Sequence, residues 1–380
     1  TLSPVSMDIL TPSLPGLSTG LAASPQIIEL NLYSFLIGYG IAPSLWGPLS
    51  DRMGRRPIMF AGMVLYCVSS FAGALADDAQ TLILIRFVQG MGGGAGATVA
   101  RAVVRDIHGE AGTTRSMAHM ISLMSVVPFF MPMAGGFLAS AFSWKACFIV
   151  MGLIGGISLA AFMILVPETR PRGSEVTGEH IPFMRILTHR TFAGHAVSNM
   201  FCISTLVIFG ANFSFILEQE FGFSSGENGL VLSMFNGSIA LGTYVVWWLM
   251  KRMGAHQAIL TGGLASSLGW LGIGLLTALG YAQASLLMPM LVIAAGGCGV
   301  IMSLCSGGAL TPFSRNSGTA SSLYLLLQSA GACLVSFSVG LLLPKELLAI
   351  SLATSACAAM AVVSKIALSE RNDSKSTKRT

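Results

Sequence analysis

The chain has 380 residues, 53% of them hydrophobic and 10% charged, with a formal charge of +5 and a mean hydropathy of +0.74. A soluble domain carries about a quarter charged residues, so this balance excludes an ordinary soluble enzyme and points to lipid as the solvent. Its Lys and Arg are spread over short segments between apolar runs and form no basic face for nucleic acid, and its seven cysteines, an odd number inside apolar runs, form no disulfide framework or metal site.

A bilayer core of about 30 Å needs about 20 apolar helical residues per crossing. Such runs lie near 28–48, 57–76, 80–103, 117–141, 146–166, 191–216, 227–250, 256–279, 284–306, 318–342 and 346–367. Ahead of them, Thr1–Leu14 is too short to cross alone and reads as the second half of a first span whose beginning is missing, which makes twelve. Taking the gap between the second and third spans, every other gap after it and the tail collects 18 of the 21 Lys and Arg, while the opposite gaps hold Lys145 and Lys345. Positive charge stays inside, so both termini are expected to be cytoplasmic, which requires an even number of spans.

The predicted fold is therefore an all-α membrane protein of twelve transmembrane helices in two pseudo-symmetric six-helix bundles, residues 1–166 and 191–370. A cytoplasmic linker, 167–190, carries Glu168, Arg170, Arg172, Glu175 and Glu179, and a cytoplasmic tail occupies 371–380. A repeat supports the division. Asp51-Arg-Met-Gly-Arg-Arg-Pro-Ile-Met-Phe-Ala-Gly62 aligns without gaps on Lys251-Arg-Met-Gly-Ala-His-Gln-Ala-Ile-Leu-Thr-Gly262, each between the second and third helix of its half. Parallel six-helix repeats are a feature of secondary transporters, whose substrate site lies between the halves near the midplane.

In chain order, the first chemistry-bearing residue is Asp8, in Ser6-Met7-Asp8-Ile9-Leu10-Thr11-Pro12-Ser13-Leu14-Pro15. It is either a carboxylate in a partly dry cavity, suited to binding a proton, or a helix-end residue at the external rim. Glu29, in Gln26-Ile-Ile-Glu29-Leu-Asn31-Leu-Tyr33, is the other acid near membrane depth, facing a cleft or opening a solvated helix. Gly47-Pro-Leu-Ser-Asp51-Arg52-Met-Gly54-Arg55-Arg56-Pro57 combines a glycine for close helix approach, an acid at a helix end and a turn glycine. Arg86 lies inside an apolar helix, where a charge is costly and faces a partner or a wet cavity. Gln89, Gly90, Gly94 and Ala97 follow on the same helix. Gly92-x-Gly94-x-x-Ala97 lacks the strand that a dinucleotide fingerprint needs. Arg101 and the Arg105-Asp106 pair end this span, as a latch or an ordinary helix-end ion pair. Pro128-Phe-Phe-Met131-Pro132-Met-Ala-Gly135-Gly136 is a kinked, closely packing stretch. The second half is poor in charge; Tyr33 and Gln89 of the first half, with Asn199, Phe209, Asn212, Phe213, Phe235, Asn236, Tyr324 and Gln328, are candidates to line a largely apolar cavity or to pack between helices.

These motifs carry a resemblance. The Gly47–Pro57 segment resembles motif A of the major facilitator superfamily, which implies that Asp51, Arg52 and Arg55 latch the cytoplasmic side. The Arg86 segment resembles motif B of its drug:proton antiporters, which ties Arg86 to proton movement. Pro132, Gly135 and Gly136 match motif C of exporters, with Val127 and Met131 where that pattern has glycines. The Asp8 stretch is similar to helix 1 of the Bcr/CflA bicyclomycin and chloramphenicol resistance exporters, with Thr11 in place of Leu and Glu29 where Gln is usual. The resemblance implies a monomer in a bacterial inner membrane, not an enzyme, exporting small amphipathic drugs in exchange for protons by alternating access, without a cofactor. No Walker A sequence is present, so ATP is not expected to drive it. A dedicated exporter of an endogenous metabolite and a non-transporting receptor are the competing readings.

Overall fold

The computed structural model describes residues 2–169 and 182–368, and their side chains apart from those of 105, 108–125 and 314–317. Arg170, Arg172, Glu175 and Glu179 of the expected linker, the tail 371–380 and the side chain of Arg105 lie outside the described residues. Among these residues the regular structure is entirely helical: α1 (Leu2–Asp8), a 3₁₀ turn (Thr11–Ser13), α2 (Leu14–Gly20), α3 (Pro25–Met53), α4 (Arg55–Ala74), α5 (Ala79–Ala141), α6 (Trp144–Leu165), α7 (Phe183–Leu187), α8 (Arg190–Phe221), α9 (Ser225–Ala278), α10 (Ala284–Leu310), a second 3₁₀ segment (Thr311–Asn316), α11 (Ser317–Leu342) and α12 (Leu347–Leu368).

Eight described helices are long and apolar enough to cross a membrane. The other crossings are the broken first span, the 29-residue α3, and the second limbs of α5 and α9, giving twelve. α5 runs for 63 residues, yet its two limbs fold back on each other. Ser6 accepts a hydrogen bond from Arg86, and Ile9, three residues on, packs against Gly135. A straight helix would hold positions 86 and 135 about 74 Å apart. In α9 the reversal is visible at Gly254, with φ 78° and ψ 166°. Its counterpart Gly54, between α3 and α4, has φ 102° and ψ 158°. Only glycine occupies this region comfortably, so the repeat read from the sequence is also a repeat of one unusual turn.

Packing follows the same symmetry. On α5, Gly92 lies against Gly62 and Tyr66 of α4; on α10, Gly297 lies against Gly262 and Ser266 of α9, where any side chain would collide with backbone. Large apolar side chains such as Leu153, Ile157, Ile164 and Leu165 of α6 point outward, as lipid-facing residues do.

One expectation needs correction. The first span does not stop at Leu14 but continues to Gly20 after a break. Pro12 and Pro15 read as boundaries, but each sits in the first turn of its helical segment, where the missing N–H costs nothing. At the start of α5, Asp78 caps the helix by accepting the Thr81 N–H at 2.8 Å, which holds its carboxyl below the usual aspartate range.

Candidate functional site

The break in the first span brings Asp8 to the middle of the bundle. α1 ends at Asp8, and its half-buried carboxylate accepts a hydrogen bond at 3.1 Å from Nδ2 of Asn236, on the first limb of α9 and therefore in the other half. Asn236 is eleven residues from the start of α9, about 16 Å along the helix and close to half a bilayer core. This position answers the question left by the sequence: Asp8 lies deep, not at a rim. The same amide nitrogen donates to the Pro128 carbonyl at 2.8 Å. That carbonyl lacks its ordinary helical donor because position 132 is proline. Pro132 thus frees an acceptor that holds the amide presented to Asp8. Gly135 lets α5 approach the Ile9 carbonyl, and Gly136 packs on Ser225 and Gly229 of α9. The three motif residues of this helix therefore build the junction between the first span and the second half.

Arg86 is fully buried. It donates to Gln89 Oε1 at 2.6 Å and to the Ser6 carbonyl at 3.2 Å, and its guanidinium lies 4.4 Å from the Phe35 ring centroid. None of the ion pairs among the described residues involves it. The Ser6 carbonyl belongs to the last turn of α1, where the helix dipole favours a cation. Ser6 Oγ meets Tyr66 OH at 2.6 Å, and Gln89 donates to Ser70 at 2.7 Å. Arg86 thus holds the backbone two residues before Asp8 without pairing with it.

Glu29 lies at one end of the bundle, 2% exposed, in an ion pair with Lys345 from the segment between α11 and α12. Tyr33 OH donates to Glu29 at 3.2 Å and meets Ser336 Oγ at 2.9 Å. At the opposite end, Arg55 is paired with Asp51 at 2.5 Å and Asp106 at 3.0 Å and donates to Ser50 at 2.8 Å. Both carboxylate oxygens of Glu168 accept backbone N–H groups at the start of α4, from Arg55 at 2.9 Å and Arg56 at 3.0 Å, and Arg56 also reaches the Met163 carbonyl. Gly47 faces Thr98, while Arg52 and Arg101 are exposed.

The cavity candidates are largely placed elsewhere. Phe209, Phe213 and Phe235 are 1–3% exposed in the core of the second half, where Phe209 stacks on Phe235 with centroids 4.0 Å apart, packs on Phe213, and shares with Phe235 a tilted contact to Trp270. Tyr324 packs on Phe192, Asn212 donates to the Ile208 carbonyl, and Asn199 bonds Gln328 at 3.0 Å. Tyr33 belongs to the Glu29 cluster and Gln89 to the Arg86 cluster. An open apolar groove of about 520 Å³ runs instead between the second limb of α5 and the first limb of α9, lined by Phe129, Phe130, Met234, Gly237, Leu241 and Tyr244, of which Phe129, Phe130, Leu241 and Tyr244 are exposed. The sequence reading missed Lys345 and Ser336. Lys345 carried a signal, as one of two bases in the otherwise base-free set of gaps.

Residues 1–336 match the family model described as Major Facilitator Superfamily. A protein named Multidrug resistance protein MdtL, from Shigella flexneri serotype 5b (strain 8401), is 25% identical over 336 residues, 88% of this chain and 84% of its own length. Among solved structures, a D-xylose-proton symporter is similar with a TM-score of 0.77 at 15% identity, over 97% of this chain and 94% of its own. The human organic anion transporter MFSD10 (TETRAN) is similar with a TM-score of 0.65 at 16% identity, over 97% of both chains.

Proposed function

The chain belongs to the Major Facilitator Superfamily, a family of membrane transporters, and from that premise we propose that it exports small amphipathic compounds, drugs among them, in exchange for protons by alternating access. The name of the MdtL relative supports the drug reading, the motif C match supports export, and the likeness of the Asp8 stretch to helix 1 of the Bcr/CflA exporters supports membership of that branch. In this reading it is a monomer in a bacterial inner membrane with both termini cytoplasmic. Residues 1–166 and 191–370 are then the rocking halves, 167–190 the linker and 371–380 the tail. The Glu29 end is external, and the Asp51, Arg52, Gly54, Arg55 and Arg56 cluster latches the cytoplasmic end of the first half.

One observation carries the proposal. The carboxylate of Asp8 sits at a break in a transmembrane helix, bonded to an amide of the opposite half. A discontinuous helix at the interface of two repeats is where such transporters bind substrate and coupling ion. Asp8 binds a proton when the site is empty and yields it to water when substrate binds between the halves. Arg86 fixes the backbone that carries Asp8. Glu29, already held by Lys345, is the weaker candidate for that proton.

The test is proton release from detergent-purified protein near neutral pH on addition of chloramphenicol, as a neutral probe, or ethidium, as a cationic one. Wild type and Glu29→Gln should release protons, and Asp8→Asn should not. Undiminished release from Asp8→Asn would overturn the assignment.

A further inference from the structure

The described contacts between the two halves run from the middle of the bundle to the Glu29 end. Thr11 meets Ser214, Met133 meets Ser233, and Gly136 meets Gly229. α3 and α11 lie antiparallel in a regular register, Gly40 on Ser329, Tyr33 on Ser336 and Glu29 beside Gly340. At the far end of this ladder stands the Glu29 to Lys345 ion pair, with side chains 3% and 13% exposed. The Tyr33 and Ser336 hydroxyls bond beneath it, and the ring of Phe215 lies 5.2 Å from the Lys345 ammonium. Its acid comes from one half and its base from the other, 316 positions apart in the chain.

We infer that Glu29 and Lys345 are the positioning residues of a gate at this end, holding the halves together while the opposite end is accessible and separating when it closes. Burial of both charges makes the pair sensitive to loss of either partner, since a lone charge left in a dry interface is strongly unfavourable. The same pair is also easy to part in the right direction. As the helices separate, water enters and hydrates both groups, so the penalty of separation is far below that of an unpaired buried charge. A purely apolar seam would lack this property. The Tyr33 hydroxyl, shared between Glu29 and Ser336, keeps the acid aimed across the interface. The lone base at position 345, in a set of gaps otherwise nearly free of bases, has its reason in this contact.

The experiment uses the full chain in lipid nanodiscs. Cys67, the one cysteine not fully buried, is replaced by Ala, and spin labels are placed at Gln80→Cys and Gln283→Cys, exposed positions at the Glu29-end starts of α5 and α10. Pulsed electron resonance then gives the distance between halves. Glu29→Gln and Lys345→Gln should each raise the long-distance population by roughly tenfold or more. The charge-swapped pair Glu29→Lys with Lys345→Glu, and the conservative Lys345→Arg, should return it to the wild-type level. A merely structural role would not be rescued by the swap. Unchanged distances in both single variants, or a swapped protein as open as either single variant, would overturn the gate. Should a single variant not fold, the swap and Lys345→Arg decide alone. Because the readout is a distance, it stands apart from the proton-release test of the exporter reading.

Discussion

Arg55 has two carboxylate partners, and the structure makes them unequal. The Asp106 side chain is 8% exposed and the Asp51 side chain 42%, against 7% for Arg55. Removing one partner of a buried pair costs about 3–5 kcal/mol; Asp106→Asn leaves Arg55 one acid, so about 3 kcal/mol is expected. Asp51 shares its pairing with water, and Asp51→Asn should cost about 1 kcal/mol or less. The difference of about 2 kcal/mol is about a thirtyfold change in the folded-to-unfolded ratio. Unfolding in mixed micelles with increasing dodecyl sulfate, run for wild type, both single variants and each combined with Arg55→Gln, yields the two coupling energies. Raising the salt should erode the Asp51 coupling and spare that of Asp106. Equal couplings, or an Asp51→Asn penalty matching that of Asp106→Asn, would refute ranking these pairs by their burial.

Arg86→Ala should abolish proton-coupled transport in proteoliposomes, and Arg86→Lys should recover little of it, because one ammonium cannot serve Gln89, the Ser6 carbonyl and the Phe35 face together; full activity of the Lys variant would remove that argument. Gly54→Ala and Gly254→Ala should each lower stability in the same micelle assay by about 1–3 kcal/mol for the forced backbone. The first should be the worse, since a Cβ there would lie 2.7 Å from Glu168 while nothing lies within 4 Å at Gly254. The Asp78 carboxyl lies below its unfolded value, so its helix-capping contribution is present at neutral pH and fades as pH falls through the lowered folded value. The protection of the Thr81 amide, its exchange rate compared with that of an unstructured amide at the same pH, should fall over that acid window and should be low at every pH in Asp78→Ala.

The crossings were legible because hydropathy over about 20 residues is the direct signature of a bilayer, and Gly54 and Gly254 announced their shared turn through the repeat around them. The part of the first span beyond Leu14 was not legible, because a proline that starts a helical turn and one that ends a helix look alike in sequence. Arg86 stood out as a charge in an apolar run, but one of its partners is the Ser6 backbone carbonyl, which leaves no pattern to read. The junction of Asp8 with Asn236 was half legible: both residues were singled out, and only the structure joins them, through a carbonyl that Pro132 sets free. For Phe209, Phe213 and Phe235 the sequence left cavity lining and helix packing both open, because the helices here are apolar on every side and periodicity cannot say which face meets a neighbour and which a cavity.

The duplicated glycine turn also makes the two halves mechanically unequal. Around Gly54, Glu168 bolts the end of α6 to the start of α4, while Arg55 ties that start to α3 and α5, so four crossings are joined at one point. Around Gly254 the corresponding positions hold Lys251, Ala255 and His256, and the two cations there lie on indoles of their own helix, Lys251 over Trp247 at 3.5 Å and Arg252 over Trp248 at 4.1 Å. Such contacts stiffen one helix and brace no neighbour. In the proposed rocking cycle the first half would act as a lever and the second would carry the compliant elbow that absorbs the swing, so amide exchange around 251–262 should run faster than around 51–62.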